Sequence, residues 1–330
     1  MRLPEMRGEK EEVTLYTRAM NTRIIAIALL AAFAFSLSGT PALAATKKSA
    51  KATVAAPDPV QEATVNLYCR LRVGKVIYAT SGTGVFISES GIILTNAHVA
   101  QDFLLAGADK RIDGWCSVRT GSPADETYTA SVLYLPSAWI QANAAELAKG
   151  KPRGTGENDF ALLYVTGAEK KKALPAKFPS VPLSLLSSTE GAEVRVLGYP
   201  TAKLTFSQVR NKLPVVTAST TVTAVRSYDG RTPDALTLAP SKAGGYGTSG
   251  GPVIENGKLI AIVTSKGSAE NDSTLRAISL QYIDQGIRAQ TGLSLNTLVA
   301  SKPALLAPSL SSSLTPEIIK ILTSAFVKKK

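Results

Sequence analysis

The segment Gly247-Thr248-Ser249-Gly250-Gly251-Pro252 sets a serine among small residues, just ahead of the strand-like Val253–Ile254. A serine that attacks a carbonyl needs such neighbours. They leave its hydroxyl exposed and let backbone N–H groups converge on a developing oxyanion. The same letters fit two other patterns. Gly245–Gly250 reads G-x-G-x-x-G, but Pro252, Asn256 and Gly257 interrupt the next stretch of chain, so no helix starts there and a dinucleotide loop is excluded. Gly247–Gly251 reads G-x-S-x-G, the elbow of α/β-hydrolases, whose histidine lies C-terminal to the serine. The chain has one histidine, His98, far upstream of Ser249, which excludes that fold too.

His98 closes Gly91-Ile92-Ile93-Leu94-Thr95-Asn96-Ala97-His98-Val99, at the end of an apolar strand. A lone histidine is usually an incidental polar residue. Here it is the one available base for Ser249, and it stands where a His-Asp-Ser order requires it. Glu157-Asn158-Asp159-Phe160-Ala161-Leu162-Leu163 supplies an acid at the mouth of a second apolar strand. A buried carboxylate there can fix the imidazole tautomer and stabilise its charged form.

The rest of the chain must position these groups. It has 330 residues, 45% hydrophobic and 6% aromatic, enough to bury a substantial core and too apolar for disorder throughout. Val, Ile, Leu and Ala fall in short runs, which predicts an all-β core. The net charge of +12 comes from dispersed or terminal lysines without interleaved aromatics, so no nucleic-acid partner is expected. A single histidine makes a zinc site untenable, and neither metal nor cofactor is expected.

Met20–Ala44 has a basic start, the apolar run Ile24–Phe35 and Pro41-Ala42-Leu43-Ala44. This is the order of a secretory signal cleaved after Ala44, with translation starting at Met1 or Met20. An uncleaved anchor is the competing reading. The protein is thus expected to be periplasmic or secreted. In that setting Cys69 and Cys116 point to a disulfide rather than to catalysis or metal binding, with two buried free thiols as the alternative.

Residues 45–59 read as a flexible linker. Folded structure is expected over 60–290, in halves of about 60–170 and 180–290 joined near Pro175 and Pro179. Predicted strands in the first half are Val65–Val73, Val76–Thr80, Gly84–Ser88, Ile92–Thr95, Cys116–Arg119, Tyr128–Leu135 and Phe160–Val165. In the second they are Val181–Leu186, Glu193–Gly198, Val215–Arg226, Ala235–Leu238, Val253–Ile254, Leu259–Thr264 and Leu275–Ser279. Such spacing fits sandwiches or barrels. Ile283–Gln290 is the internal helix candidate. Within the 291–330 tail, Ser301–Ser313 is rich in Ser, Pro and Leu and reads as loose. The tail ends in a basic amphipathic helix, 316–328, opened by Thr315-Pro316-Glu317. That helix either docks its apolar stripe on the core or lies against an anionic membrane or cell wall.

Thr-Asn-Ala-His-Val at 95–99, Asp-Phe-Ala-Leu-Leu at 159–163 and Gly-Thr-Ser-Gly-Gly-Pro at 247–252 occur in one order. Ser81-Gly82-Thr83-Gly84, Gly198-Tyr199-Pro200 and Ala277-Ile278-Ser279 accompany them. Together they resemble the trypsin-like serine peptidases of the chymotrypsin fold, and most closely the bacterial HtrA-type branch. The resemblance spans roughly Val65 to Gln290 and implies two six-stranded antiparallel β-barrels with the site in the cleft between them.

The resemblance also implies roles. His98 would be general base and acid, Asp159 its orienter, Ser249 the nucleophile, and the N–H groups of Gly247 and Ser249 the oxyanion hole. It puts Ala243 at the base of the substrate pocket, with Thr264, Ser265 and Lys266 along its wall, and brings the strands of Cys69 and Cys116 side by side. Substrates would be proteins or peptides. Two departures stand out. The stretch after Gln290 is too short for the PDZ module usual in HtrA-type chains. Thr248 stands where animal trypsins carry an aspartate for zymogen activation. The competing readings are a catalytically silent double-barrel scaffold that binds peptides and a membrane-surface protein acting through its terminal helix.

Overall fold

The computed structural model describes residues 58–148, 156–169, 172–266, 274–310 and 314–327. The signal segment and nearly all of the linker lie outside this set. The first half contains β1 (Thr64–Val73), β2 (Val76–Phe86), β3 (Ile92–Thr95), β4 (Ile112–Thr120), β5 (Asp125–Tyr134) and β6 (Ala161–Ala168). They close into an antiparallel barrel in the order β1-β2-β3-β6-β5-β4. The second half contains β7 (Glu193–Gly198), β8 (Val216–Arg226), β9 (Ala235–Leu238), β10 (Pro252–Glu255), β11 (Lys258–Lys266) and β12 (Leu275–Ser279). They close as β10-β11-β12-β9-β8-β7. The predicted all-β double barrel is therefore the fold.

Two strand expectations change. Val76–Thr80 and Gly84–Ser88 are one continuous strand, β2, which pairs with β1 from Val73↔Val76 to Thr64↔Val85. Val181–Leu186 is not a strand and makes only an isolated bridge, Leu183↔Leu259. Its alternating apolar residues pack on the core from an irregular segment containing Pro182.

Cys69 and Cys116 are directly opposite one another on β1 and β4, and their sulfurs are bonded. No helix among the described residues is long and apolar enough to cross a membrane.

Helices fill the ends and one flank. α1 (Pro59–Ala63) is capped by Asp58, whose carboxylate also pairs with Arg195 of β7 at 2.7 Å. α2 (Ala97–Leu105) follows β3 directly, and α3 (Ser137–Ala148) precedes β6. α4 (Phe206–Asn211) opens with a reciprocal Thr205/Gln208 capping box. α5 (Leu280–Thr291) is capped by Ser279 and ends at Gly292 in the left-handed conformation, φ 73°.

Beyond it come α6 (Leu295–Ala300), α7 (Pro303–Leu310) and α8 (Pro316–Val327), so the segment expected to be loose, Ser301–Ser313, contains the helix α7. The stripe of α8 docks rather than faces outward. Ile318, Leu322 and Ala325 are buried in the core that also holds the first barrel, and the Phe326 ring meets Tyr78 at 5.1 Å.

Arg119, 2% exposed, joins the two halves. Its guanidinium donates to Asn66 Oδ1 (3.1 Å) in the first barrel and to Val209 O (3.0 Å) and Arg210 O (2.7 Å) of α4. It also lies over the Tyr68 ring, 5.4 Å from its centroid. Several acceptors thus share a desolvated cation.

Candidate active site

The register of the first barrel explains why His98 meets Asp159. Antiparallel β3 and β6 pair with Thr95 opposite Ala161. The chain leaving β3 and the chain entering β6 therefore emerge at the same end of the ladder. Asp159 Oδ2 lies 2.8 Å from His98 Nδ1, and Oδ1 accepts the His98 backbone N–H at 3.0 Å. The Asn96 side-chain amide donates to the Asp159 carbonyl at 2.8 Å. Carboxylate and main chain are thus both pinned. Because the carboxylate accepts, Nδ1 carries the imidazole proton and Nε2 keeps its lone pair.

The second barrel supplies a further hydroxyl. Thr264 on β11 donates from Oγ1 to Asp159 Oδ2 at 2.7 Å. Thr264, expected along the pocket wall, thus also contacts the acid, a role its place in the sequence does not show. The signal for such contacts is present elsewhere: Thr95 and Asn96 are polar residues fully buried beside the histidine.

Burial works against the charged forms of both partners, but their mutual attraction and hydrogen bonds outweigh it. The His98 pKa therefore lies above its ordinary 6.5, raised by the Asp159 charge and hydrogen bond. The Asp159 pKa lies below its ordinary 3.8, held down by His98 and the Thr264 hydroxyl.

Ser249 is placed by an extension of the β10–β11 ladder. Gly250 N donates to Val263 O at 2.7 Å and Val263 N to Gly251 O at 2.8 Å, which brings Ser249 beside Thr264. Its hydroxyl donates to Thr264 O at 3.3 Å rather than to the imidazole. The second barrel thus links Ser249 and Asp159 through one threonine.

Every carbonyl from Tyr246 to Ser249 is engaged. Tyr246 O accepts from Thr201 N at 2.7 Å and from Thr201 Oγ1 at 3.2 Å. Gly247 O accepts from Thr83 Oγ1 at 2.7 Å, Thr248 O from Gly251 N at 2.8 Å and Ser249 O from Thr83 N at 2.8 Å. The N–H groups of Gly247 and Ser249 have no protein acceptor among the described residues.

Close backbone neighbours require glycine at Gly247 and at Gly250. At Gly247, φ is 90° and a Cβ would stand 2.4 Å from Tyr199 O. At Gly250 it would stand 2.0 Å from Thr83 O. Thr248, in the position of the trypsin aspartate, satisfies its hydroxyl within the loop by donating to Gly245 O at 2.6 Å.

The pocket residues are less complete. Ala243 is fully buried in the apolar cluster of the second barrel, and Thr264 is occupied by Asp159. The side chains of Ser265 and Lys266, and the segment directly after them, lie outside the described residues.

An imidazole held this way has one lone pair directed away from its carboxylate. The second barrel carries, next to Thr264, a serine on a glycine-rich turn with two unengaged N–H groups, and imidazole, serine and N–H groups are the components of acyl transfer. Residues 82–262, more than half of the sequence, match the trypsin-like peptidase domain, and the chain belongs to that family. Its substrates are accordingly proteins or peptides. Among solved structures it is similar to the Rv3671c protease from M. tuberculosis in its active form. The identity is 20% and the TM-score 0.42, over 69% of this chain and 80% of that one. A serine-to-alanine mutant of Rv3671c from M. tuberculosis H37Rv, in its inactive form, gives 19% identity and a TM-score of 0.42, over 72% of this chain and 96% of that one. No curated protein sequence matches the chain.

Proposed function

We propose that this protein is an exported serine endopeptidase that cleaves peptide bonds through His98, Asp159 and Ser249. Ser249 Oγ turns from Thr264 O towards the imidazole and attacks the scissile carbonyl while His98 Nε2 takes its proton. The N–H groups of Gly247 and Ser249 receive the oxyanion. The imidazolium, stabilised by Asp159, gives the proton to the leaving amine and an acyl-enzyme remains. Water then attacks that ester with His98 again as base, releasing the second product and restoring the serine.

The observation that carries this reading is the pinned His98–Asp159 pair of the first barrel, tied through Thr264 to Ser249 of the second. Export rests on the leader-like order of Met20–Ala44 and agrees with the Cys69–Cys116 bond.

Specificity follows from the pocket base proposed at Ala243. A basic substrate side chain brought out of water needs a buried carboxylate there, and alanine offers none. Cleavage after small or medium aliphatic residues is expected, with discrimination of about 1–3 kcal/mol per methylene. Profiling a peptide library with the enzyme lacking its leader tests this. Cuts after Ala, Val or Leu, absent in Ser249→Ala, support the proposal, and dominant cleavage after Arg or Lys overturns the pocket assignment.

A further inference from the structure

The oxyanion loop lacks the buried aspartate that a cut N-terminus would pair with, so something else must hold it in shape. A planar trans peptide points its C=O and N–H in opposite directions, so fixing the carbonyl also aims the amide. The peptide that matters joins Tyr246 to Gly247, because its N–H is half of the proposed hole. The peptides on either side are held elsewhere, Gly245 O by the Thr248 hydroxyl at 2.6 Å and Gly247 O by the Thr83 hydroxyl at 2.7 Å. The Tyr246 ring is 66% exposed and gives little anchorage, and the flanking Gly245 and Gly247 take φ of 124° and 90°, a region that glycine enters without strain. What does hold its carbonyl is Thr201, through both N–H (2.7 Å) and Oγ1 (3.2 Å).

We infer that Thr201 is a positioning residue for the oxyanion hole: it holds the Tyr246 carbonyl and thereby aims the Gly247 N–H at the reacting oxygen. The inference rests on the serine-peptidase reading above. It assigns to a short loop after Tyr199-Pro200 the ordering that an activation salt bridge would otherwise supply. Thr201 touches no reacting atom, so its loss should weaken transition-state stabilisation more than ground-state binding.

Three variants separate this role from simple stability. Thr201→Val removes the hydroxyl and should lower kcat by about 5-fold, the worth of one ordinary hydrogen bond, with KM little changed. Thr201→Pro also removes the N–H and should lower kcat on the order of 100-fold, as loss of an oxyanion donor does. Thr201→Ser, which keeps both donors, should restore most of the kcat lost in Thr201→Val. Binding of a peptide aldehyde, which forms a tetrahedral adduct, should weaken in step with kcat. Thermal unfolding is followed throughout, and Thr201→Val decides the matter if the proline variant does not fold. Unchanged kcat in Thr201→Val, or an effect confined to KM or to melting temperature, overturns the inference. Retained turnover in Ser249→Ala would instead overturn the reading beneath it.

Discussion

The Thr264 hydroxyl donates to Asp159 Oδ2 at 2.7 Å, so a strand of the second barrel fixes an acid that belongs to the first. A hydrogen bond to a charged group is worth about 1.5–3 kcal/mol, more than a neutral one. Thr264→Val keeps the shape and removes the donor. It is expected to lower kcat by about 10-fold and to raise the Asp159 pKa. Steady-state kinetics check the first effect, and a variant with wild-type kcat would show that His98 alone holds the acid.

The pH dependence follows from the His98–Asp159 pair. Catalysis needs neutral His98, and its pKa is raised, so the acidic limb of kcat/KM should turn over above 6.5. In Asp159→Asn the stabilising charge is gone. Any residual activity, lower on the order of 10⁴-fold, should turn over at lower pH. The sign for stability is opposite to that for activity. A raised folded-state pKa contributes stability fully below about 6.5, and the contribution is lost as pH rises through the folded value. Denaturant midpoints of wild type and His98→Ala across that window read this out.

The disulfide joins residues 47 apart in sequence. A loop of that length stabilises by roughly 3–4 kcal/mol in the chain-entropy description. Replacing Cys69 and Cys116 together by alanine should cost about that much in urea unfolding. In the native protein neither thiol should react with an alkylating agent, and two freely alkylated cysteines would contradict the bond.

Helix α8 packs against α2 and α3, and Leu322 within it is 1% exposed. Leu322→Ala should destabilise the fold by about 2–5 kcal/mol, the range for a buried leucine. Binding to anionic liposomes should not depend on this residue. A variant that melts like wild type and loses liposome association would favour the membrane-surface role.

The barrels were legible because their strands alternate or run apolar between turn residues such as Gly74-Lys75 and Ser90-Gly91. Val76–Phe86 looked broken because Gly82 and Gly84 interrupt the apolar pattern, yet backbone pairing does not need side chains. α3 has no apolar period to mark it, although Ser137–Ala148 is rich in good helix formers. Trp139 and Ile140 are buried, and the helix packs against α8, far away in sequence.

The proposed catalytic residues stood out because rare residue types, the lone histidine above all, sat on recognisable strand ends. Thr83 lies within the Ser81-Gly82-Thr83-Gly84 motif, but its hold on Gly247 O, the hold of Thr201 on Tyr246 O and the acid contact of Thr264 have no mark in the sequence. Thr83 and Thr201 act on backbone carbonyls, and Thr264 reaches an acid in the other barrel.

The central claim is that Ser249 is a nucleophile activated by His98. Incubating the protein, expressed from Ala45, with a fluorophosphonate probe and mapping the labelled peptide tests it most directly, since such probes form a covalent bond only with an activated serine. The account predicts label on Ser249 alone and none in Ser249→Ala or His98→Ala. Labelling that persists in Ser249→Ala, or an intact protein that never labels, would contradict it, and the second outcome would leave a catalytically silent scaffold.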